Sequence, residues 1–317
     1  MEERKRFLFV WWTGGGNMPP ALHLVRQLIA RGHTVRVLCD PVSETEFRAA
    51  GASFTAFRRA PHRIDLRPEN DPIRDWEAQN PRQALAIVRD RILFGPAAGY
   101  ADDTTDEIAS FQPDVVAIMD FTFGAMAAAE KAGLPTAVIA PHILAYPVPG
   151  RPPFGPGLLP AERLVDRIHH RLIGILSNRE LRKGLALFNM TRARLGLPPV
   201  KQVFEQVEHM QRILVLTSLA LELPSGVLPP NVRYTGPVLA DPDWVGTWQS
   251  PWNANDYRPL VLVGFSTTFQ KQTEWLNTVA EALGRLPVRG LITVGKTIAP
   301  QSITAPEHVV VCQAAPH

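Results

Sequence analysis

The chain has 317 residues, 45% of them hydrophobic and 20% charged, with a formal net charge of +3. That length leaves room for two well-buried cores, and the small net charge, with no Lys and Arg run interleaved with aromatics, argues against a nucleic-acid partner. Only Cys39 and Cys312 occur, so no disulfide framework is indicated and a reducing cytoplasm is the expected location.

No window approaches the ~20 apolar residues of a membrane span, and the apolar run after Arg6 is shorter than a signal-peptide core. Phe7–Trp12 reads as a buried strand. Thr13 to Met18 holds three glycines, and Pro19 and Pro20 suit the first turn of a helix running to Arg31, closed by Gly32. This strand, glycine turn and helix place a ligand-accessible turn at the carboxyl end of a sheet strand. Thr34–Cys39 is a second strand, Ser43–Ala50 a helix and Ser53–Phe57 a short strand. Residues 58–80 read as loop, and 81–110 as one or two helices broken near Gly95, Pro96 and Gly99. Val115–Asp120 is a strongly apolar strand, Phe123–Ala132 its helix, and Thr136–Ala140 the next strand. His142–Pro160 is a long proline-rich loop suited to a binding wall. Ala161–Leu195 is mostly helical, and Arg212–Thr217 closes the first domain as a strand.

Thirty prolines gather in such loops, and the stretches Pro224–Pro230 and Asp241–Asn255 mark a connection between domains. Leu260–Phe265 then opens a second unit, followed by a turn at Ser266–Thr268, a helix over Gln272–Arg285, and strands at Gly290–Val294 and His308–Cys312. Strands alternating with helices predict an α/β fold of parallel sheets with helices on both faces. The expected domains are 1–238 and 239–317, and the second is too small to close its own core.

Trp12-Thr-Gly-Gly-Gly-Asn-Met-Pro-Pro20, Arg31-Gly-His-Thr-Val-Arg-Val37, Pro113-Asp-Val-Val-Ala-Ile-Met-Asp120, Arg192-Ala-Arg-Leu-Gly-Leu-Pro-Pro199, Pro229-Pro-Asn-Val-Arg-Tyr-Thr-Gly-Pro237 and Leu260–Phe269 recur in one order over nearly the whole chain. Together they resemble GT-B glycosyltransferases, in particular the macrolide-type branch that includes antibiotic and natural-product enzymes. The resemblance implies two Rossmann-like domains, the first for an acceptor and the second, cut short here, for a nucleotide-sugar. It implies an inverting transfer from a nucleoside-diphosphate donor, uridine- or thymidine-linked, to a hydroxyl of a small hydrophobic acceptor. A chain ending at His317 is expected to transfer little sugar alone. No metal is expected, and no cofactor beyond the nucleotide-sugar co-substrate.

Within that resemblance a His in the first turn is the general base, since an alcohol needs a base within hydrogen-bond reach to become a good nucleophile. Asn17 stands at that position here, and an amide orients a hydroxyl but takes no proton at neutral pH. Asp120 matches the Asp that orients the His, so Asp120 and Asn17 are the catalytic candidates, with Asp120 the proton acceptor directly, through Asn17 or through water. Read without the resemblance, Asp120 is also a plausible helix cap. Gly15, Gly16, Phe121 and His142 are acceptor-side candidates, and His142 is the second-choice base. Phe94, Tyr100, Phe121, Phe123, Tyr146 and Phe154 are aromatic candidates for the acceptor wall, about half of them expected in the core. On the donor side, Ser266 and Thr267 match a diphosphate turn, Gly295 a turn near the nucleobase, and Ala314 the place of a stacking Trp.

Two other readings stay open at this point. A GT-B-derived helper protein without catalysis fits Asn17. A dinucleotide-dependent oxidoreductase would use Gly14–Gly16 for phosphate and Asp40 for a ribose, although Pro19 replaces the third glycine of that fingerprint.

Overall fold

A computed structural model describes residues 3–153, 157–223, 226–239 and 248–315. Phe154, Pro316, His317 and the linker residues 224–225 and 240–247 lie outside the described residues. Contacts group the chain into two compact units: Met1–Thr13, Ala21–Ile64 and Pro72–Val238 form one, and Gly14–Pro20, Asp65–Asp71 and Leu239–His317 form the other.

The larger unit is built on seven strands: β1 (Arg6–Val10), β2 (Thr34–Cys39), β3 (Ser53–Ala56), β4 (Val115–Met119), β5 (Thr136–Ala140), β6 (Arg212–Val215) and β7 (Val232–Tyr234). They pair in parallel in the order β3-β2-β1-β4-β5-β6-β7. Chain order reverses between β1 and β4, where Val10 sits beside Ile118. Right-handed crossovers leading away from that point place helices on opposite faces and leave a crevice at the carboxyl ends of these two strands. Val232–Tyr234 is a strand that periodicity alone does not reveal. Three residues between prolines hold no repeat, and the ladder with β6 supplies their partners.

The helices are α1 (Met18–Ala30), α2 (Glu44–Ala49), α3 (Pro81–Ile87), α4 (Ala97–Phe111), α5 (Phe123–Ala132), α6 (Leu164–Arg182), α7 (Leu185–Arg194) and α8 (Glu205–Glu208), with a π-helical stretch at Val88–Leu93. α1 turns Ala21, Leu22 and Val25 inward at helical spacing. α5 is nearly all Ala and Gly on the side that meets α4. A Cβ on Gly124 would lie 1.9 Å from the Ala97 carbonyl oxygen, so only glycine permits this approach. The core joins Leu8, Val10, Val116, Ile118 and Val138 of the sheet to Phe94, Phe123 and Phe188 of the helices. Phe94, Tyr100 and Phe123 are therefore core residues and not acceptor wall; Phe94 and Phe123 meet edge to face at 5.8 Å. At the back of the unit, buried Arg192 bonds the Pro198 carbonyl at 2.7 Å and Glu130 at 2.8 Å, with a third bond to Gln206. That network gives the Arg192–Pro199 motif a structural basis.

The smaller unit holds β8 (Leu260–Gly264), β9 (Arg289–Thr293) and β10 (Val309–Cys312), parallel in the order β10-β9-β8, with α9 (Thr273–Gly284). Leu276, Ala280 and Leu283 of α9 pack on Ile292, Val294 and Val309. Leu260 and Leu262 of β8 are exposed.

Candidate functional site

Asp120 follows β4 at the reversal point, where strand ends open to a crevice. Its carboxyl is fully buried, and its backbone N–H donates to the Ile139 carbonyl of β5 at 3.0 Å. Phe121, immediately after it, takes φ +67, a left-handed conformation that is strained for an aromatic residue. Such an outlier must be held by its surroundings. Here Thr122 Oγ1 donates to the Met119 carbonyl, and the Phe121 ring stacks on His142 at 5.7 Å and meets Tyr146 edge-on at 5.8 Å.

His142 comes two residues after β5, the neighbour of β4, so the sheet order carries it to the same edge. Its Nε2 lies 3.0 Å from Asp120 Oδ2, and its Nδ1 lies 2.7 Å from the Ile143 carbonyl oxygen. Burial works against the imidazolium, yet the bond to Asp120 and its negative charge win and push the His142 pKa up to about 9. Burial raises the Asp120 carboxyl, and His142 opposes that rise. The raised pKa keeps the His142 ring protonated at neutral pH beside the Asp120 carboxyl group. Both carboxyl oxygens and the Tyr146 hydroxyl are buried without a hydrogen bond of good geometry, so the contact of Oδ2 with His142 is an ion pair.

The loop bearing His142 is fastened from below by Glu222 and Arg151, which no sequence motif marks. Glu222 Oε1 accepts the Leu144 N–H at 2.8 Å, and Oε2 pairs with Arg151 at 2.7 Å. Arg151 also donates to the Tyr234 hydroxyl at 3.2 Å. Only the loop's length and its prolines hinted at such an anchor.

The turn after β1 is a short 3₁₀ segment, Gly15–Asn17, with Gly15 at φ +62. Asn17 is buried, and its Oδ1 accepts the Gly14 N–H at 3.0 Å, so its amide oxygen serves the turn itself. Gly16 is exposed. Just ahead of the turn, Thr13 donates its N–H to Asp40 Oδ2 at 2.5 Å, and Arg63 donates its own N–H to Oδ1 at 2.9 Å. Arg63 Nη1 then reaches the Thr13 carbonyl at 2.6 Å. Both Asp40 oxygens are thus taken by backbone, which removes the ribose role that the oxidoreductase reading assigned to it.

In the smaller unit the donor-side candidates collect beyond the carboxyl ends of the three strands. Ser266 Oγ and Thr268 Oγ1 bond each other at 2.8 Å after β8, and Gln272 Nε2 holds the carbonyls of Ser266 and Thr268 at 3.2 and 3.1 Å. Thr267 is exposed between them. Gly295, after β9 at φ +69, backs onto it: a Cβ there would lie 3.0 Å from Thr267 Cα. Its N–H donates to the Gln313 carbonyl at 2.9 Å, which brings Ala314, after β10, alongside. Short hydroxyl residues and a bare glycine leave open backbone of the kind that phosphate sites use.

Residues 15–175 match the family described as Glycosyl transferase 4-like domain. The chain is 26% identical over 296 residues to the 4'-demethylrebeccamycin synthase of Lentzea aerocolonigenes, covering 92% of this chain and 70% of that protein. It is 25% identical over 295 residues to the oleandomycin glycosyltransferase of Streptomyces antibioticus, covering 91% of this chain and 60% of that one. Among solved structures, the glycotransferase of kitacinnamycin superposes with a TM-score of 0.67 at 19% identity, over all of this chain and 72% of the other. The glycosyltransferase VinC in complex with DTDP superposes at 0.53 with 14% identity, over 98% of this chain and 72% of the other. No described helix is long and apolar enough to cross a membrane. With half of its length matched to one family and its parallel sheets matched to these folds, the chain belongs to the glycosyl transferase 4-like family and is a glycosyltransferase of the GT-B type.

Proposed function

We propose that this protein moves a sugar from a nucleoside-diphosphate donor to a hydroxyl of a small hydrophobic acceptor, with inversion at the anomeric carbon. The observation that carries this reading is the buried Asp120 at the strand-order reversal of a family domain, with the Phe121 and His142 rings stacked beside it. An aromatic wall beside a proton-holding pair suits an apolar molecule that presents one hydroxyl. Relatives named for rebeccamycin and oleandomycin support an acceptor of that class, and the neighbour holding DTDP supports the donor class. On the donor side, Ser266, Thr267, Gly295 and Ala314 would meet the nucleotide. Asn17 would orient the acceptor and hold no proton.

In the step, the acceptor oxygen attacks the anomeric carbon as its proton passes to the protein. The bond from that carbon to the diphosphate oxygen breaks, and the electron pair leaves with the nucleoside diphosphate. Attack from the face opposite the leaving group inverts the centre. The test is incubation with dTDP-glucose or UDP-glucose and a panel of hydroxylated polycyclic acceptors, read by mass spectrometry and by the anomeric coupling of the product. A β-glucoside from the α-linked donor, formed in small yield, is expected; an α-glucoside overturns inversion, and a protein that neither forms a glucoside nor binds dTDP or UDP overturns the reading.

A further inference from the structure

Three facts about proton transfer at this site do not fit a base in the turn after β1. Asn17 carries no basic nitrogen, and its amide oxygen is held by Gly14. Asp120 is 0% exposed and both its oxygens are closed to solvent, so an acceptor cannot reach it directly. Among the described residues, His142 connects this carboxylate to the outside: its Nε2 lies 3.0 Å from Asp120 Oδ2, and 36% of its side chain is exposed. We propose that His142 is the residue that takes the acceptor's proton, with Asp120 as its positioning partner. The base then comes from the end of β5. This rests on the glycosyl-transfer reading above.

The chemistry follows from the two ring nitrogens. With Nε2 on a carboxylate and Nδ1 on the Ile143 carbonyl, both carry protons, and the resting ring is a cation. It becomes a base by releasing the Nδ1 proton to solvent, after which the acceptor hydroxyl takes the place of the Ile143 carbonyl at that nitrogen. In the reaction the Nδ1 lone pair takes the hydroxyl proton while the oxygen bonds the anomeric carbon, and the diphosphate departs with the electrons of the broken bond. Asp120 then faces the imidazolium that has formed, as in other carboxylate–imidazole pairs. The groups acting on the ring are few. Asp120 holds it from β4, Glu222 adds negative charge from the opposite segment with Arg151 against it, and the Tyr146 hydroxyl is buried within the field of Asp120. Asp120, the Ile143 carbonyl and Glu222 favour the cation, and burial opposes it. Transfer is therefore expected to favour alkaline solution, since raised basicity is matched by a small neutral fraction at pH 7.

Two measurements on the full chain test this. First, the His142 ring is titrated by NMR in the wild type and in Asp120→Asn. The midpoint is expected near 9 in the wild type, falling toward ~6.5 in the variant. Midpoints near 6.5 in both overturn the pairing. Second, transfer from dTDP-glucose or UDP-glucose to testosterone, whose alcohol does not titrate in this range, is followed from pH 6 to 10. Wild-type kcat should rise ~10-fold per pH unit up to the ring's midpoint, and Asp120→Asn should move that limb to lower pH. His142→Gln keeps an amide N–H for Asp120 and should lose ~100-fold or more in kcat with the donor KM little changed. A limb that Asp120→Asn leaves in place, or a His142→Gln enzyme with more than a tenth of wild-type kcat, overturns the role. A wild type that neither transfers sugar nor binds dTDP or UDP counts against glycosyl transfer itself, while the ring titration still decides the pairing.

Discussion

Glu222 is the residue whose loss should be felt most sharply at a distance from the reacting groups. Its side chain is 3% exposed and that of Arg151 6% exposed, so the ion pair between them at 2.7 Å has almost no help from water. In Glu222→Ala the guanidinium stays buried with only the Tyr234 hydroxyl at 3.2 Å, and Nε of Arg151 is already without a partner. The Leu144 N–H loses its acceptor as well. Stranding one partner of a buried pair costs about 3–5 kcal/mol, and an orphaned N–H about 1–3, with overlap between the two. We expect a loss of about 4 kcal/mol, close to three powers of ten in local opening at 1.4 kcal/mol per decade. Amide exchange at Leu144 and Tyr146, read by mass spectrometry beside a urea titration, measures it. The double variant Arg151→Met/Glu222→Met should return within ~2 kcal/mol of the wild type, because a buried pair is often replaceable by packed apolar side chains. Exchange unchanged at Leu144 in Glu222→Ala, or a double variant as unstable as the single one, would refute this account of the loop.

Gly124→Ala should destabilise the larger unit by ~1–3 kcal/mol or more, because its Cβ would strike the backbone of α4 at Ala97 rather than a movable side chain; a urea midpoint within error of the wild type would contradict the close approach. The His142–Asp120 pair also predicts a pH dependence of stability. The folded pKa of His142 is raised to about 9, so its contribution is full below the unfolded value of ~6.5 and is lost as pH rises through 9. Asp120's own upward shift acts on the acid side, where the carboxyl takes its proton. The wild type should therefore lose Tm between about pH 6.5 and 9 relative to Asp120→Asn; parallel curves would mean that the two side chains are not coupled.

The parallel strands were legible because β1, β2, β4 and β5 are short apolar runs bounded by turns, and their alternation with helices leaves few topologies. Phe94, Tyr100, Phe123 and Tyr146 were not separable from Phe121 by residue type, since an aromatic in a core and one at its edge look alike until packing partners are known. The π-helical stretch and β7 escaped for a related reason: a few residues carry no period. Asp120 was visible as a strand-end carboxylate, and His142 as a residue at the same sheet edge. What could not be read was their mutual orientation, because it depends on the strained backbone of Phe121 and on Glu222, Arg151 and Tyr234, which come from separate segments of the chain. These pieces explain one another. A fully buried carboxylate is costly unless a positive charge meets it. His142 supplies that charge only while its loop is held in place, and the Glu222–Arg151 pair holds it. The anchor beneath the loop and the proton-holding pair above it are therefore one arrangement, and loosening the first should release the second.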